Sequence, residues 1–123
     1  MDTPLDTATH RVVIDSGAAV HLTPITSFIP QMRPLDHPIS LAGAFGQTVM
    51  ATHGGAGAID VGGHTLHVSN LVYAPQLKDT LLSLVRLTKD GHRIDVKNDA
   101  GRFVDRAGSV VLPLSGRGNI LSF

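Results

Sequence analysis

Hydrophobic and polar positions alternate in short blocks along most of this chain, and Gly, Pro, Asn or Asp separate the blocks. Val12, Val13 and Ile14 are three β-branched residues in a row, the pattern of a strand buried on both faces. Val20 and Leu22 resume a strand pattern shortly afterwards. Pro24, Pro30, Pro34 and Pro38 exclude a long helix or a central strand over 24–38. Phe28, Ile29, Met32 and Leu35 are therefore expected to pack from an irregular but ordered connection. Ile39-Ser40-Leu41 opens a strand, Gly43-Ala44-Phe45-Gly46 makes a turn, and 47–52 returns, giving a hairpin with glycines at its tip. Gly54-Gly55-Ala56-Gly57 is a rival for such a tip. Residues 58–61 and 65–68 alternate around Gly62-Gly63, which predicts a second hairpin.

Further along, the apolar run 71–73 reads as a strand end stopped by Pro75. Asp79 and Thr80 offer an N-cap ahead of Leu81, Leu82, Leu84, Val85 and Leu87, which fall at helical spacing. Lys89 in the last turn and Gly91 as C-cap close the segment, so the spacing predicts the chain's one helix over 81–89. From His92 onward 94–96, 103–104, 110–112 and 119–123 read as a meander of short strands. The expected fold is all-β, with one short helix in its C-terminal half. A single domain is expected over 1–123, with a polar, loosely held arm at 1–10.

Composition narrows the function classes. The 123 residues carry ten basic and ten acidic side chains, so no net charge recruits nucleic acid or an anionic membrane surface. The alternating charges between Arg86 and Arg106 read as a solvated face. With no cysteine, disulfides, thiolate chemistry and Cys-ligated zinc are excluded. No apolar run reaches the ~18–20 residues of a membrane span, and 1–10 has no apolar signal core. His64 and His67 are three apart on an expected strand, where the two-residue period sends them to opposite faces, so no metal site is expected. Gly54 to Gly57 is followed by no Lys-Ser/Thr and no helix, which argues against a phosphate loop.

The candidate chemistry lies at Asp15-Ser16-Gly17. This tripeptide is a common turn, because Asp and Ser bond their own backbone and Gly takes positive φ. Its flanks change that reading, since buried-strand patterns on both sides hold Asp15 in the core rather than at a loop tip. Peptide hydrolysis by carboxylates needs two of them sharing one proton across a bound water. The chain holds one Asp-Ser-Gly; Asp36, Asp60 and Asp105 lack that context. One chain can thus supply half a site, which a symmetric dimer would complete. A Ser16–His21–Asp triad is excluded, because groups on one local strand-turn cannot converge as a triad requires.

Ile14-Asp15-Ser16-Gly17-Ala18 followed by His21-Leu22-Thr23 resembles the protease of copia-type LTR retrotransposons. The likeness continues in Asn70-Leu71-Val72-Tyr73-Ala74-Pro75-Gln76-Leu77-Lys78, in Leu81-Leu82-Ser83-Leu84-Val85-Arg86-Leu87 and in Gly118-Asn119-Ile120-Leu121. The resemblance implies a retropepsin-like acid-protease half, a closed β-barrel that works as a homodimer. It implies Asp15 as the catalytic carboxylate of each subunit, with Ser16, Gly17 and Ala18 supporting the active-site loop. It implies a flap at Gly43, Ala44, Phe45 and Gly46 over an extended peptide from the element's Gag–Pol polyprotein, and neither cofactor nor metal. The implied location is the cytoplasmic virus-like particle. Two features depart from the pattern: no Gly precedes Leu81, and Ala19 stands where relatives often have Ser. A competing reading is therefore a retropepsin-like dimerisation or peptide-binding module with little hydrolysis. His21 is expected to be structural, bonding a backbone carbonyl.

Overall fold

The computed structural model describes residues 10–42, 48–97, 100–117 and 120–123. Its strands are β1 (Val12–Asp15), β2 (His21–Thr23), β3 (Arg33–Ala42), β4 (Thr48–Val61), β5 (His64–Tyr73) and β6 (Thr80–Ser83). After the helix α1 (Leu84–Lys89) come β7 (Arg93–Lys97), β8 (Ala100–Val104), β9 (Val111–Arg117) and β10 (Ile120–Ser122). The protein is thus mainly β with one short helix. Nine residues of the expected arm, 1–9, lie outside the described residues.

The ten strands pair in the order β3-β4-β5-β2-β6-β1-β10-β9-β8-β7. Among the described residues β3 and β7 do not pair, so hydrogen bonds do not close the barrel. Packing does bring the two ends together. Ile59, Val61, Leu66 and Val68 of β4 and β5 share one buried cluster with Phe103, Leu112 and Leu114 of β8 and β9. A smaller cluster holds Leu22, Ala51, Val72, Ala74 and Leu77, with Leu35, Ile39 and Leu81 against it.

The β-branched run at 12–14 is buried as its composition requires, because both edges of β1 are taken. β6 runs parallel to it on one side and β10 antiparallel on the other. Burying each of these aliphatic side chains contributes roughly 1.5–3 kcal/mol, which secures the strand that ends in Asp15.

Three expectations are corrected. The helix begins at Leu84, not Leu81, because Leu81 and Leu82 are strand residues opposite Val13 and Ile14. Sheet pairing at the centre of the molecule overrides their helical spacing. The Asp79-Thr80 cap is replaced by Ser83, whose hydroxyl accepts from Arg86 N–H at 3.2 Å. The helix end is as expected, with Gly91 at φ +91° behind Asp90.

The second correction concerns 24–38. A 3-10 turn forms at Thr26–Phe28. β3 then starts at Arg33, includes Pro34 and Pro38, and shifts register between Pro34 and Ile39. It is an edge strand, where a missing N–H costs no ladder bond.

The third correction removes the rival flap tip. Gly54, Gly55 and Gly57 lie inside β4. A Cβ on Gly54 would stand 2.8 Å from the carbonyl oxygen of Leu71, and one on Gly57 2.7 Å from Leu71 Cδ2. These glycines permit close strand approach rather than a turn.

Candidate active site

Asp15 is the last residue of β1 and is half-buried, with Ser16 and Gly17 exposed beyond it. Its Oδ1 accepts a hydrogen bond from the Gly17 N–H at 2.8 Å, and its carbonyl oxygen accepts from the Ala18 N–H at 3.3 Å. The tripeptide therefore forms a tight turn that folds back onto its own carboxylate. A Cβ on Gly17 would lie 3.4 Å from Asp15 Oδ1, an ordinary van der Waals contact. Of Ser16, Gly17 and Ala18, Gly17 bonds the carboxylate through its N–H, and Ala18 bonds the Asp15 carbonyl oxygen instead. Gly43, Ala44, Phe45 and Gly46 lie outside the described residues, although the strands leading to them pair from Ile39↔Ala51 to Ala42↔Thr48.

Strand crossing positions this turn. Asp15 stands opposite Ser83 on β6 and opposite Ile120 on β10. β6 also pairs antiparallel with β2 at Leu22↔Leu81, so β6 lies between the strand entering the Asp15 turn and the strand leaving it. Two contacts tie the loop to the start of α1. Arg86 Nε donates to the carbonyl oxygen of Ala19 at 3.2 Å, and the Ser83 N–H donates to His21 Nδ1 at 3.0 Å.

His21 is 3% exposed and its Nε2 has no partner among the described residues. Burial pushes its pKa down to about 4; Asp90 opposes this, while Arg86 and His92 reinforce it. The imidazole is thus neutral, with Nδ1 as acceptor and the proton on Nε2. It is structural, as expected, but it accepts from a backbone N–H instead of donating to a carbonyl.

Below the turn lies a polar connection that the hydrophobic pattern did not signal. Thr23 and Thr80, both fully buried, join their hydroxyls at 2.7 Å. Thr23 Oγ1 also accepts from Ile25 N–H at 3.1 Å, and Thr80 Oγ1 lies 2.7 Å from His10 Nε2. Buried hydroxyls need partners, and these supply one another across β2 and β6. Ser83 and Arg86 were also missed as site residues. A serine directly before an apolar helical run was the available signal, obscured by Asp79-Thr80 four residues earlier.

Beside the loop is a small cavity of about 180 Å³. Val20, His21 and Arg86 line it together with Leu35 and Ile39 of β3. Its walls are mostly aliphatic, suited to one apolar side chain. No three His, Asp or Glu residues converge to hold a metal among the described residues.

Residues 12–92 match the family described as Pol polyprotein, beta-barrel domain, and the chain belongs to that family. No curated protein and no solved structure matches the chain. The matched stretch runs from β1 through α1 and includes the Asp15 turn. The strand that flanks Asp15 on its other side, β10, lies beyond it.

Proposed function

We propose that this Pol-derived domain is an aspartic endopeptidase of the copia-type retropepsin kind, acting as a homodimer on the Gag–Pol polyprotein that contains it. The observation that carries the reading is the Asp15 turn. A half-buried carboxylate ends a core strand, and its Oδ1 is fixed by the Gly17 N–H at 2.8 Å. A hydrogen bond of this kind orients a carboxylate without neutralising it and leaves its other oxygen free to act.

One such carboxylate is half of the machinery. In the dimer, Asp15 of each subunit faces the two-fold axis, and two carboxylates that close hold a single proton between them. The shared proton of aspartic proteases is the standard instance of this coupling. The ionised partner takes a proton from the attacking water while the protonated one donates to the scissile carbonyl. Exposed Ser16, Gly17 and Ala19 offer the surface for this approach. Val85, 48% exposed, stands on the first turn of α1 at the same end of the sheet and adds apolar area. An extended substrate would lie across the Asp15 loop with one apolar side chain in the 180 Å³ cavity. The element's cytoplasmic particle is the place where precursor chains are concentrated enough to pair.

The test couples mass and activity. Sedimentation should show a dimer for the wild type and for Asp15→Asn. Cleavage of a Gag–Pol fragment should be maximal at acid pH and fall by at least about a thousandfold in Asp15→Asn. A strict monomer without cleavage at high concentration, or cleavage that survives Asp15→Asn, would overturn the reading.

A further inference from the structure

One strand edge inside the sheet is left open. β2 covers β5 at 71–73, whereas 64–68 pair with β4 on one side and with nothing on the other among the described residues. The turn between β4 and β5 has two residues, Gly62 at φ +53° and Gly63 at φ +79°, so Val61↔His64 is the hydrogen-bonded closing pair. By the alternation of an antiparallel ladder, Thr65 and His67 turn their N–H and C=O groups away from β4. Both therefore present them to the open side.

A groove of about 560 Å³ runs beside this edge. Val68, Phe103 and Leu112 give it an apolar floor, and His92 and Arg106 form its far side. That far wall is fixed. The Arg106 N–H donates to His92 Nδ1 at 3.1 Å, and Asp105 Oδ1 accepts from the Val110 N–H at 3.0 Å.

Other edges of the sheet are defended in the usual ways, with charge, proline and irregular register. β3 carries Arg33, Pro34, Asp36 and Pro38 and a register shift. β7 alternates Arg93, Asp95 and Lys97. The open part of β5 is Thr65-Leu66-His67-Val68-Ser69, with neither proline nor Lys, Arg, Asp or Glu. An undefended edge above an apolar floor is suited to being covered.

We propose that this groove binds one extended peptide segment, laid as an added strand along 65–69 of β5 and collinear with β2. Its backbone pairs with Thr65 and His67, and its alternate apolar side chains reach the floor. A second copy laid along this edge is the competing occupant, and its pairing would grow with protein concentration. The site is separate from the Asp15 turn, and the proposal stands whether or not the chain cleaves peptides.

The test uses the full chain with isotope labels and the probe peptide acetyl-Thr-Val-Thr-Val-Thr-Val-amide, observed by NMR and amide exchange. Binding should shift and protect the Thr65 and His67 amides, and it should persist in Asp15→Asn. His67→Pro removes one outward N–H without touching the β4 ladder, and should weaken binding about tenfold. N-methylating alternate residues of the probe keeps the protein unchanged should that variant fail to fold. Methylation in one phase should abolish binding, and in the other phase leave it intact. Four results would overturn the proposal: no binding at ~1 mM peptide, equal effects of both methylation phases, shifts centred on Val20 and Ile39 instead, or protection of Thr65 and His67 that grows with protein concentration alone. The last would make a second copy the occupant.

Discussion

The backbone N–H of Ser83 donates to Nδ1 of His21 at 3.0 Å, joining residues 62 apart in sequence. Ser83 stands opposite Asp15 on the neighbouring strand, so this bond fixes the strand that backs the candidate catalytic carboxylate. It requires a neutral imidazole, since a protonated Nδ1 would meet the N–H as a second donor.

That requirement makes stability depend on pH. His21 has a folded pKa of about 4, below the usual value of 6.5. The unfolded chain therefore takes up the proton first as pH falls. The contribution is complete above 6.5, is lost progressively between 6.5 and 4, and levels off below 4 where both states are protonated. The loss is ~3 kcal/mol. His10 and His92 are also lowered, each chiefly by burial, so the comparison must be with a variant. His21→Asn keeps an acceptor near the Nδ1 position and does not titrate. Urea midpoints at pH 7, 5.5 and 4 should fall more steeply for the wild type than for His21→Asn.

The glycines of β4 and of the β4–β5 turn make separable predictions. Gly57→Ala would place a Cβ within 2.9 Å of three atoms of Leu71 and Val68, and overpacking of this kind costs about 1–3 kcal/mol. Gly63→Ala meets nothing within 4 Å but keeps φ +79°, so its cost is backbone strain of roughly 1–2 kcal/mol. Thermal unfolding of both variants should place Gly57→Ala at or below Gly63→Ala. If Gly57→Ala is neutral, the strands approach less closely than described.

Local patterns carried much of this fold. The β-branched run at 12–14, the Gly62-Gly63 hairpin and the Lys89–Gly91 helix end were legible, because each depends on neighbours in sequence. The Asp15 turn was legible for the same reason. Leu81 and Leu82 were misread because two adjacent leucines satisfy helical spacing and a doubly covered strand alike. Their pairing with Val13 and Ile14 decides between the two, and no local pattern encodes that pairing. The same is true of β10 beside β1, and of the Thr23–Thr80 bond, whose hydroxyls lie 57 residues apart.

Ser83 and Arg86 should separate stability from activity. Ser83→Ala removes the buried N-cap acceptor of α1, a change worth about 1 kcal/mol, readable as a lower urea midpoint. Arg86→Ala removes an exposed donor to the Ala19 carbonyl and should cost less than ~1 kcal/mol of stability. It frees the loop that carries the carboxylate, however, and misplacement there is amplified in the rate. For the proposed cleavage kcat should fall about tenfold with a small change in KM. A loss confined to KM would assign Arg86 to substrate binding through the cavity it lines.

The last prediction concerns what completes the matched stretch. Residues 12–92 contain β1 through α1 but lack β10, which covers one edge of the Asp15 strand, and lack Phe103, Leu112 and Leu114 of the main core. Removing 93–123 strips three large apolar side chains, ~2 kcal/mol each, and bares a strand edge next to the Asp15 turn. The combined loss approaches the whole stability of a small domain, ~5–15 kcal/mol. The 12–92 fragment should therefore lack a cooperative urea transition and should aggregate. Adding 93–123 as a separate peptide should restore some of the transition. A 12–92 fragment that unfolds cooperatively as a soluble monomer would mean that the Asp15 strand needs no cover from β10.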